Sequence, residues 1–402
     1  MRNLFKNYAA NENNPNWSNI ISRKEPLYVR NNDIRTEFGR DYTRIIHSTG
    51  FRRLKHKTQV FFSPENDHIC TRIEHVTHVE SISFTIADYL GLNTELTKAI
   101  AIAHDIGHSP FGHVGEKILS EFAKEDLGSS FWHERNGLEL VDFIELLEDD
   151  EKYKRNLDLT YAVRDGIISH CGEVSENGLK PRNEFINLED YTYPNQYSPY
   201  TWEGCVVKIA DKISYLGRDI EDAITLDILD KHLNELYDLL GFSSDKKKIN
   251  NTIIINYLIT DLCENSSPEK GLCFSDEAFK LINEINSFNY KNIYNCKRIL
   301  PSNRYFKLVL NEIYSLLKST YDGKNTINNI KNLEKFYPNI SKSFFDFLSN
   351  YYDFGNRKDL KLKNDVIFDI AKPTDFYKAI IYYISGMTDN FAIESYNEII
   401  GF

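Results

Sequence analysis

The sequence has little that points to secretion or to a membrane. It lacks any run of about eighteen consecutive apolar residues that could cross a bilayer, and its first residues lack the apolar core of a secretory signal. Its six cysteines include no CxxC pair, which argues against a thiolate zinc site or a disulfide framework and favours reduced thiols. We therefore expect a cytoplasmic protein with no membrane partner.

The chain also lacks an excess of positive charge. Its 402 residues carry a formal net charge of -11, whereas binding to a phosphate backbone needs a basic surface. The net charge therefore argues against a chain devoted to nucleic acid, although a local basic pocket stays open. The apolar share of 41% is that of a globular protein, and the length allows two or three domains or one extended helical body.

Segments with the period of a β-strand are scarce, and most apolar positions recur at helical spacing instead. This pattern predicts an all-α protein with a catalytic core over 1–230 and an additional C-terminal helical region over 231–402. Asn93 or Thr94 is a candidate helix cap, and the polar segment 172–200 predicts a long loop. The predicted core helices are 66–90, 94–105, 116–126, 134–148, 157–170 and 201–228.

Nine of the eleven histidines lie between His47 and His133, a clustering that metal or phosphate chemistry would explain. Within this stretch the apolar segment TKAIAIA delivers His104 and Asp105 at its end, and the glycines and proline of IGHSPFGHVGE then force turns. Adjacent side chains cannot share a helix face in mid-helix, but at a helix end both can reach one ion. His104 and Asp105 are therefore candidate metal ligands.

Two further candidate ligands lie on other predicted helices. His75 follows Arg72 by three residues, so the two share one side of a helix. Asp211 interrupts an apolar segment, where a buried acid is costly unless it is paired or bound to a metal. Asp211, Tyr215 and Asp219 recur at i, i+4 and i+8 and form one stripe. Two imidazoles and two carboxylates suit a divalent metal; Mn or Mg is the first choice, and Fe, Co, Ni or Zn stays open.

Each of these residues also has an ordinary structural interpretation. An isolated His-Asp dipeptide is usually incidental, and a lone His75 would more often be a core or surface histidine. Asp211 could pair with Lys208 or Lys212, and Tyr215 could be a core tyrosine. The joint spacing H…HD…D, together with the glycine-punctuated tail, favours the metal site.

Four blocks of the sequence resemble a known family, in order and at similar separations. They are RDYTRIIHSTGFRRLKHKTQVF (40–61), TRIEHVTHVE (71–80), AHDIGHSPFGHVGE (103–116) and IADKISYLGRDIEDAI (209–224). The chain resembles the HD superfamily, and within it the deoxyguanosine triphosphate triphosphohydrolase-like enzymes of bacteria. Beyond about residue 225 only FNYKNIY (288–294) is similar. The resemblance implies an all-α HD-domain core.

The resemblance also implies functions for individual residues. The implied metal ligands are His75, His104, Asp105 and Asp211. The implied catalytic pair is His113, as general acid, with Glu116. The residues implied near the phosphates are His108, His133, Arg72 and Lys212, and those around the deoxyribose are Gln59, Tyr215 and Asp219.

Arg53 and Lys57 complete the basic set that we expect to bind the triphosphate, since arginine forks match phosphate oxygens. Either residue could instead belong to a solvated basic face. The chain departs from the family at His78, where Glu is usual. Because this position lies one turn beyond His75, we expect altered packing around the metal site and not loss of the metal.

The resemblance implies metal-dependent hydrolysis of deoxynucleoside triphosphates, dGTP first, to a deoxynucleoside and tripolyphosphate. Two alternatives stay open. One is another HD phosphohydrolase, acting on a nucleoside monophosphate, a cyclic nucleotide or a guanosine alarmone; the other is a non-catalytic regulator that binds nucleotide or single-stranded DNA. We also expect a homo-oligomer assembled through 231–402, and leave open a nucleotide activator and weak binding of single-stranded DNA.

Overall fold

The computed structural model describes residues 2–26, 32–62, 66, 68–171, 177–240 and 251–401. In these ranges the chain forms seventeen α-helices and one antiparallel pair of three-residue strands, which confirms the all-α prediction. None of the helices in these ranges is long and apolar enough to cross a membrane. Of the predicted loop 172–200, the first five residues lie outside the described ranges, and the rest is irregular apart from one helical turn at Leu188–Asp190.

The helices and strands are numbered along the chain. Those of the core are α1 Trp17–Ile20, α2 Glu37–His47, α3 Thr49–Arg53, α4 Arg72–Leu90, α5 Thr94–Ala103, α6 Gly112–Leu127, α7 His133–Glu139, β1 Leu146–Glu148, β2 Lys154–Asn156, α8 Tyr161–Ser169 and α9 Trp202–Thr225. The later helices are α10 Leu233–Leu239, α11 Asn251–Asn265, α12 Asp276–Asn289, α13 Leu300–Ser319, α14 Thr326–Leu333, α15 Pro338–Tyr351, α16 Pro373–Ser385 and α17 Asp389–Ile400.

Capping side chains determine where helices α4 and α5 begin. The predicted helix 66–90 starts only at Arg72, because the Glu74 carboxylate accepts hydrogen bonds from the Thr71 backbone N–H at 2.7 Å and from its hydroxyl at 3.0 Å. Helix α5 starts where predicted, since the Asn93 side chain accepts hydrogen bonds from two backbone N–H groups of the first turn.

The predicted helix 134–148 is wrong in its last third. Helix α7 passes into a single π-helical turn, Leu140–Ile144, and the chain then becomes extended and forms β1. The cause is the buried Glu145 carboxylate, which accepts hydrogen bonds from Arg53 Nη2 at 2.6 Å and Thr49 Oγ1 at 2.7 Å. The predicted helix 157–170 is likewise shorter and begins at Tyr161.

Two hydrophobic clusters fill the described part of the molecule, and both cross residue 230. The first packs α2, α4, α5, α8 and α9 together and continues through α11 and α12 to Ile293. The second packs α6 and the Leu140–Ile144 turn against α13, α15, α16 and α17. The C-terminal helices are therefore joined to the core by buried apolar surface, and the division of the chain at residue 230 stays a prediction.

Candidate active site

The end of α5 presents the His-Asp pair. His104 is the C-cap of α5, and its Nδ1 lies 2.6 Å from the carbonyl oxygen of Ala101. This contact leaves Nε2 facing away from the helix, where it is buried and has no hydrogen-bond partner among the described residues. His104 Nε2 lies 3.5 Å from Asp105 Oδ1. The two adjacent side chains thus converge at the helix end, where the helical geometry relaxes.

His75 on α4 and Asp211 on α9 approach the same point. His75 Nε2 lies 2.9 Å from Asp211 Oδ1 and 3.8 Å from Asp105 Oδ2. His104 Nε2 lies 3.8 Å from Asp211 Oδ1. The fold therefore brings together, from α4, α5 and α9, all four residues that the sequence suggests as metal ligands.

This donor set fits a divalent cation. Ligand atoms of His75, His104 and Asp211 all lie within 4.8 Å of one another, and His104 and Asp105 form an adjoining group with His170. The buried, unpartnered Nε2 of His104 has a free energy cost that a bound cation would remove. Nitrogen and oxygen donors without a thiolate do not select one metal. When bound, such a cation would polarise a phosphoryl oxygen and lower the pKa of a bound water.

Asp105 is held as an anion by its neighbours. Arg72 Nη1 donates a hydrogen bond to its Oδ2 at 2.7 Å, and His108 Nε2 lies 3.0 Å from its Oδ1. Burial opposes the charge of this carboxyl, but His108, His104 and Arg72 hold its pKa well below the usual range. Asp105 can therefore serve as a charged ligand at neutral pH.

A second cluster of acid and imidazole groups adjoins the first. Glu116 Oε2 lies 3.0 Å from His133 Nδ1 and 3.4 Å from His113 Nδ1. The buried His133 ring stacks on His108 with ring centroids 3.7 Å apart, whereas the His113 side chain is 76% exposed. Glu116 thus lies closer to His133 than to His113, although His113 is the residue that we expect to act with Glu116 in catalysis.

The charges around His133 determine its protonation. Burial lowers the pKa of His133, but the carboxylates of Glu134 and Glu116 outweigh burial and raise it to about 9. Glu116 is itself shifted: burial opposes its charge, yet His133 and His113 hold its pKa below the usual range. At neutral pH the cluster therefore holds an imidazolium, His133, beside the Asp105 ligand group.

One cavity of about 480 Å³ joins both clusters. This volume lies in the range of small-molecule sites. Eleven of its lining residues were suggested by the sequence: Gln59, Arg72, His75, Asp105, His108, His113, His133, Asp211, Lys212, Tyr215 and Asp219. His104 and Glu116 do not line the cavity themselves. His104 contacts the lining residue Asp105, and Glu116 contacts the lining residues His133 and His113.

The other end of the α9 stripe forms a polar corner of the cavity. Asp219 is buried and accepts a short hydrogen bond from the Tyr294 hydroxyl. Burial raises the pKa of Asp219 to about 7, against the lowering effect of the Tyr294 bond. The Oε1 atom of Gln59 is buried without a hydrogen-bond partner in the part of the chain that the structure describes. Both groups could bind a ligand hydroxyl.

Two residues of the expected basic set lie elsewhere. Arg53 pairs with Glu145 and lines a second cavity, beside Tyr383 and Gly386. Lys57 is buried and donates hydrogen bonds to the backbone carbonyl oxygens of His108 and Ser385. Neither side chain lines the cavity that holds the His-Asp pair. Within the described residues, the cationic lining of that cavity comes from Arg72, Lys208 and Lys212, apart from the histidines.

His170 is a lining residue that the sequence analysis missed. It caps the end of α8 as His104 caps α5, with its Nδ1 2.7 Å from the carbonyl oxygen of Ile167. Burial, and then the neighbouring imidazoles of His104 and His133, lower its pKa to about 3, so it is neutral at pH 7. The available signal was an apolar helix followed by histidine, IISH, which repeats the pattern IAIAH.

The C-terminal helices supply the remaining wall of the cavity. From α12, the turn after it and α13 come Asn286, Tyr290, Tyr294, Ile299 and Asn303. Two of these, Tyr290 and Tyr294, lie in the FNYKNIY segment, which was the only C-terminal block that resembled the family. The C-terminal region therefore takes part in the site.

Comparisons with known proteins agree with this geometry. The HD domain family matches residues 72–216. The chain is 33% identical over 367 residues to a deoxyguanosinetriphosphate triphosphohydrolase-like protein of Caldanaerobacter subterraneus subsp. tengcongensis, covering 91% of this chain and 86% of the relative. Proteins of the same name from Rickettsia bellii and Pelagibacter ubique are each 32% identical, covering 91% and 94% of this chain.

The fold, the His-Asp site and the matched residues define an HD-domain protein, a class that binds divalent metals. The similarity extends over nine-tenths of the chain and includes the C-terminal helices. The chain belongs to the deoxyguanosinetriphosphate triphosphohydrolase-like family of HD-domain hydrolases.

Proposed function

We propose that the protein hydrolyses deoxynucleoside triphosphates in a metal-dependent reaction that releases a deoxynucleoside and tripolyphosphate, with dGTP as the first substrate to test. The observation that carries this proposal is the single cavity that is lined by the His-Asp ligand group and also by the polar side chains of Gln59 and Asp219. The names of the relatives support the same reaction type.

The proposed metal ligands are His75, His104, Asp105 and Asp211. Around them Arg72, Lys212 and the His133 imidazolium provide positive charge for phosphoryl oxygens. His108 would orient Asp105 and contact the phosphates. Arg53 is not included among these contacts, because its guanidinium pairs with Glu145 in another cavity.

Cleavage at the α-phosphorus also needs a proton for the departing 5′-oxygen. We assign this to His113, which faces the cavity and is exposed enough to exchange protons with water. Glu116 would orient the ring. His133 is charged and lies closer to Glu116, so comparison of the two alanine variants decides which imidazole donates the proton.

Selection of the sugar is assigned to the α9 stripe. Gln59 and Asp219 would hydrogen-bond the 3′-hydroxyl, and the Tyr215 ring, one turn after Asp211, would occupy the space of a ribose 2′-hydroxyl. A polar site of this kind rejects an analogue that lacks the hydroxyl, because the buried groups are then left unpaired.

A screen of four deoxynucleoside and four ribonucleoside triphosphates with Mg, Mn and Co tests the proposal, with products read by phosphorus NMR. We expect tripolyphosphate from deoxynucleotides only. Pyrophosphate or orthophosphate would instead support one of the other HD reactions. Binding of nucleotide or single-stranded DNA without turnover would support a regulator.

Assembly, regulation and location belong to the same proposal. We expect a homo-oligomer that uses the C-terminal helices, in the cytoplasm, with a nucleotide activator and weak single-stranded DNA binding as further partners to test. The net charge of -11 limits any DNA binding to a local surface.

A further inference from the structure

A buried carboxylate from the last helix joins two loops that line the cavity. Asp389, the first residue of α17, is only 3% exposed. Its Oδ2 accepts a hydrogen bond from the Thr58 backbone N–H at 2.8 Å and a short one from the Thr58 hydroxyl. Its Oδ1 accepts one from the Phe111 backbone N–H at 2.9 Å. Each carboxylate oxygen therefore holds a different loop.

Both loops continue directly into cavity residues. Thr58 precedes Gln59, and Phe111 precedes Gly112 and His113. Phe111 and Gly112 have φ angles of +63° and +58°, a left-handed conformation that is unfavourable for a phenylalanine. Such a conformation persists where surrounding contacts hold it, and the Asp389 bond to the Phe111 N–H is one of these contacts.

The two loops also touch each other. A Cβ atom placed on Gly112 would lie 3.3 Å from the Gln59 carbonyl oxygen and 3.3 Å from Arg72 Nη2. A shift of either loop would therefore change the distance between Gln59 and His113. At such close packing, displacements of about 1 Å are enough to reduce catalysis about 100-fold.

A second contact, from the end of α16, also connects the C-terminal helices to these two loops. The Ser385 carbonyl oxygen, at the end of α16, accepts a hydrogen bond from Lys57 Nζ at 2.9 Å, and Lys57 also donates to the His108 carbonyl oxygen. Lys57 and Thr58 are adjacent, and His108 and Phe111 belong to one loop. The α16–α17 junction thus bonds directly to the first loop at Lys57 and Thr58 and to the second loop at Phe111, while Lys57 connects the first loop to His108 of the second.

We propose that Asp389 is a positioning residue that fixes the loop carrying Gln59 relative to the loop that ends at Phe111 and leads into His113 at the start of α6. Without its carboxylate, two backbone N–H groups in the interior lose their acceptor, and the loops can move independently. The effect on turnover rests on the proposed function; the effect on loop order does not.

Hydrogen exchange with Asp389→Asn and Asp389→Ala tests the loop order directly. In the alanine variant we expect the peptides covering 54–62 and 107–116 to lose protection by about tenfold or more. The asparagine has one acceptor oxygen, so one loop should keep its protection. If the alanine variant does not fold, the asparagine variant still gives the result.

The matched control is Asp276→Ala. Asp276 is also the first residue of a helix, follows a capping Ser275 as Asp389 follows Thr388, and is exposed. It should exchange like the unmodified protein. Unchanged protection of both loops in both Asp389 variants would overturn the proposal, as would a loss spread evenly over α12 and the other helices.

Kinetics give the second readout. With metal content unchanged, kcat for dGTP should fall about 10- to 100-fold in Asp389→Ala, less in Asp389→Asn, and not in Asp276→Ala. Equal kcat in all of these variants would refute the positioning effect. If the unmodified protein hydrolyses no deoxynucleotide, the proposed function fails, and hydrogen exchange alone decides whether Asp389 holds the loops.

Discussion

Replacement of Glu116 by glutamine should change how stability depends on pH. In the folded protein Glu134 and Glu116 overcome the effect of burial and raise the pKa of His133 from 6.5 to about 9. A raised histidine pKa stabilises the fold fully below the unfolded value of 6.5, and this stability is lost as pH rises through 9. At about 1.4 kcal/mol per pKa unit, the whole shift corresponds to roughly 3 kcal/mol.

Because the carboxylates of Glu134 and Glu116 both raise the pKa of His133, we expect Glu116→Gln to remove about 1–2 kcal/mol of this stabilisation. The assay is urea unfolding of the metal-free protein at pH 6, 7, 8 and 9. The difference in free energy of unfolding between the two proteins should be largest at pH 6 and shrink by pH 9. Glu121→Gln is the control, since Glu121 is on the same helix and pairs with Lys307 and not with a histidine. Parallel curves for the unmodified protein and Glu116→Gln would refute the assigned His133 charge.

Four other outcomes follow from the site, and a fifth follows from the C-terminal region. His104→Ala or Asp105→Ala should abolish both bound metal, measured by elemental analysis, and turnover; full activity would contradict the metal site. His113→Ala should keep its metal and lose roughly 10²- to 10⁴-fold in kcat, whereas loss of metal would make it a ligand. Tyr215→Ala should admit GTP, and Asp219→Ala should abolish discrimination against 2′,3′-dideoxy substrates, both seen as changed kcat/KM ratios. Light scattering should give an oligomeric mass, and a monomer would contradict assembly through 231–402.

Three of the four proposed metal ligands could be predicted from the sequence because each of the three has a local signal. His104 and Asp105 end an apolar helix, and Asp211 is an acid in an apolar segment, so burial and an unmet charge are both visible in the residue order. The resemblance to a family then joined them to His75, which local sequence alone does not place beside Asp211. The predicted starts of 94–105, 134–148 and 201–228 lie within one residue of those of α5, α7 and α9. The starts of 66–90 and 157–170 were predicted too early and that of 116–126 too late, because α4 begins at Arg72, α8 at Tyr161 and α6 at Gly112.

What the sequence could not indicate depends on distant contacts. Glu145 leaves the helical conformation because Arg53 and Thr49, nearly a hundred residues earlier, bind its carboxylate. The ion pair between Arg53 and Glu145 also keeps Arg53 out of the cavity, where the basic pattern of the sequence had suggested that it would lie. His170 escaped notice because it lies outside the dense histidine cluster, although its helix end repeats the environment of His104. Contacts between residues distant in the sequence determined the Glu145 and Arg53 cases, and such contacts leave no periodic pattern in the local sequence.

Helix α9 gives the site a fixed length. Asp211, beside the His-Asp pair, and Asp219, at the polar corner, are eight residues apart on one continuous helix, which is about 12 Å along its axis. In the proposed reaction the first would act near the α-phosphate and the second at the 3′-hydroxyl. Tyr294, from the turn after α12, donates a hydrogen bond to Asp219. The C-terminal helices therefore position the residues proposed to bind the sugar, while α4 and α5 position the proposed metal ligands. In the proposed reaction a substrate would therefore contact both parts of the chain at once, and the hydrophobic cluster that α9 shares with α11 and α12 would hold the two parts in register.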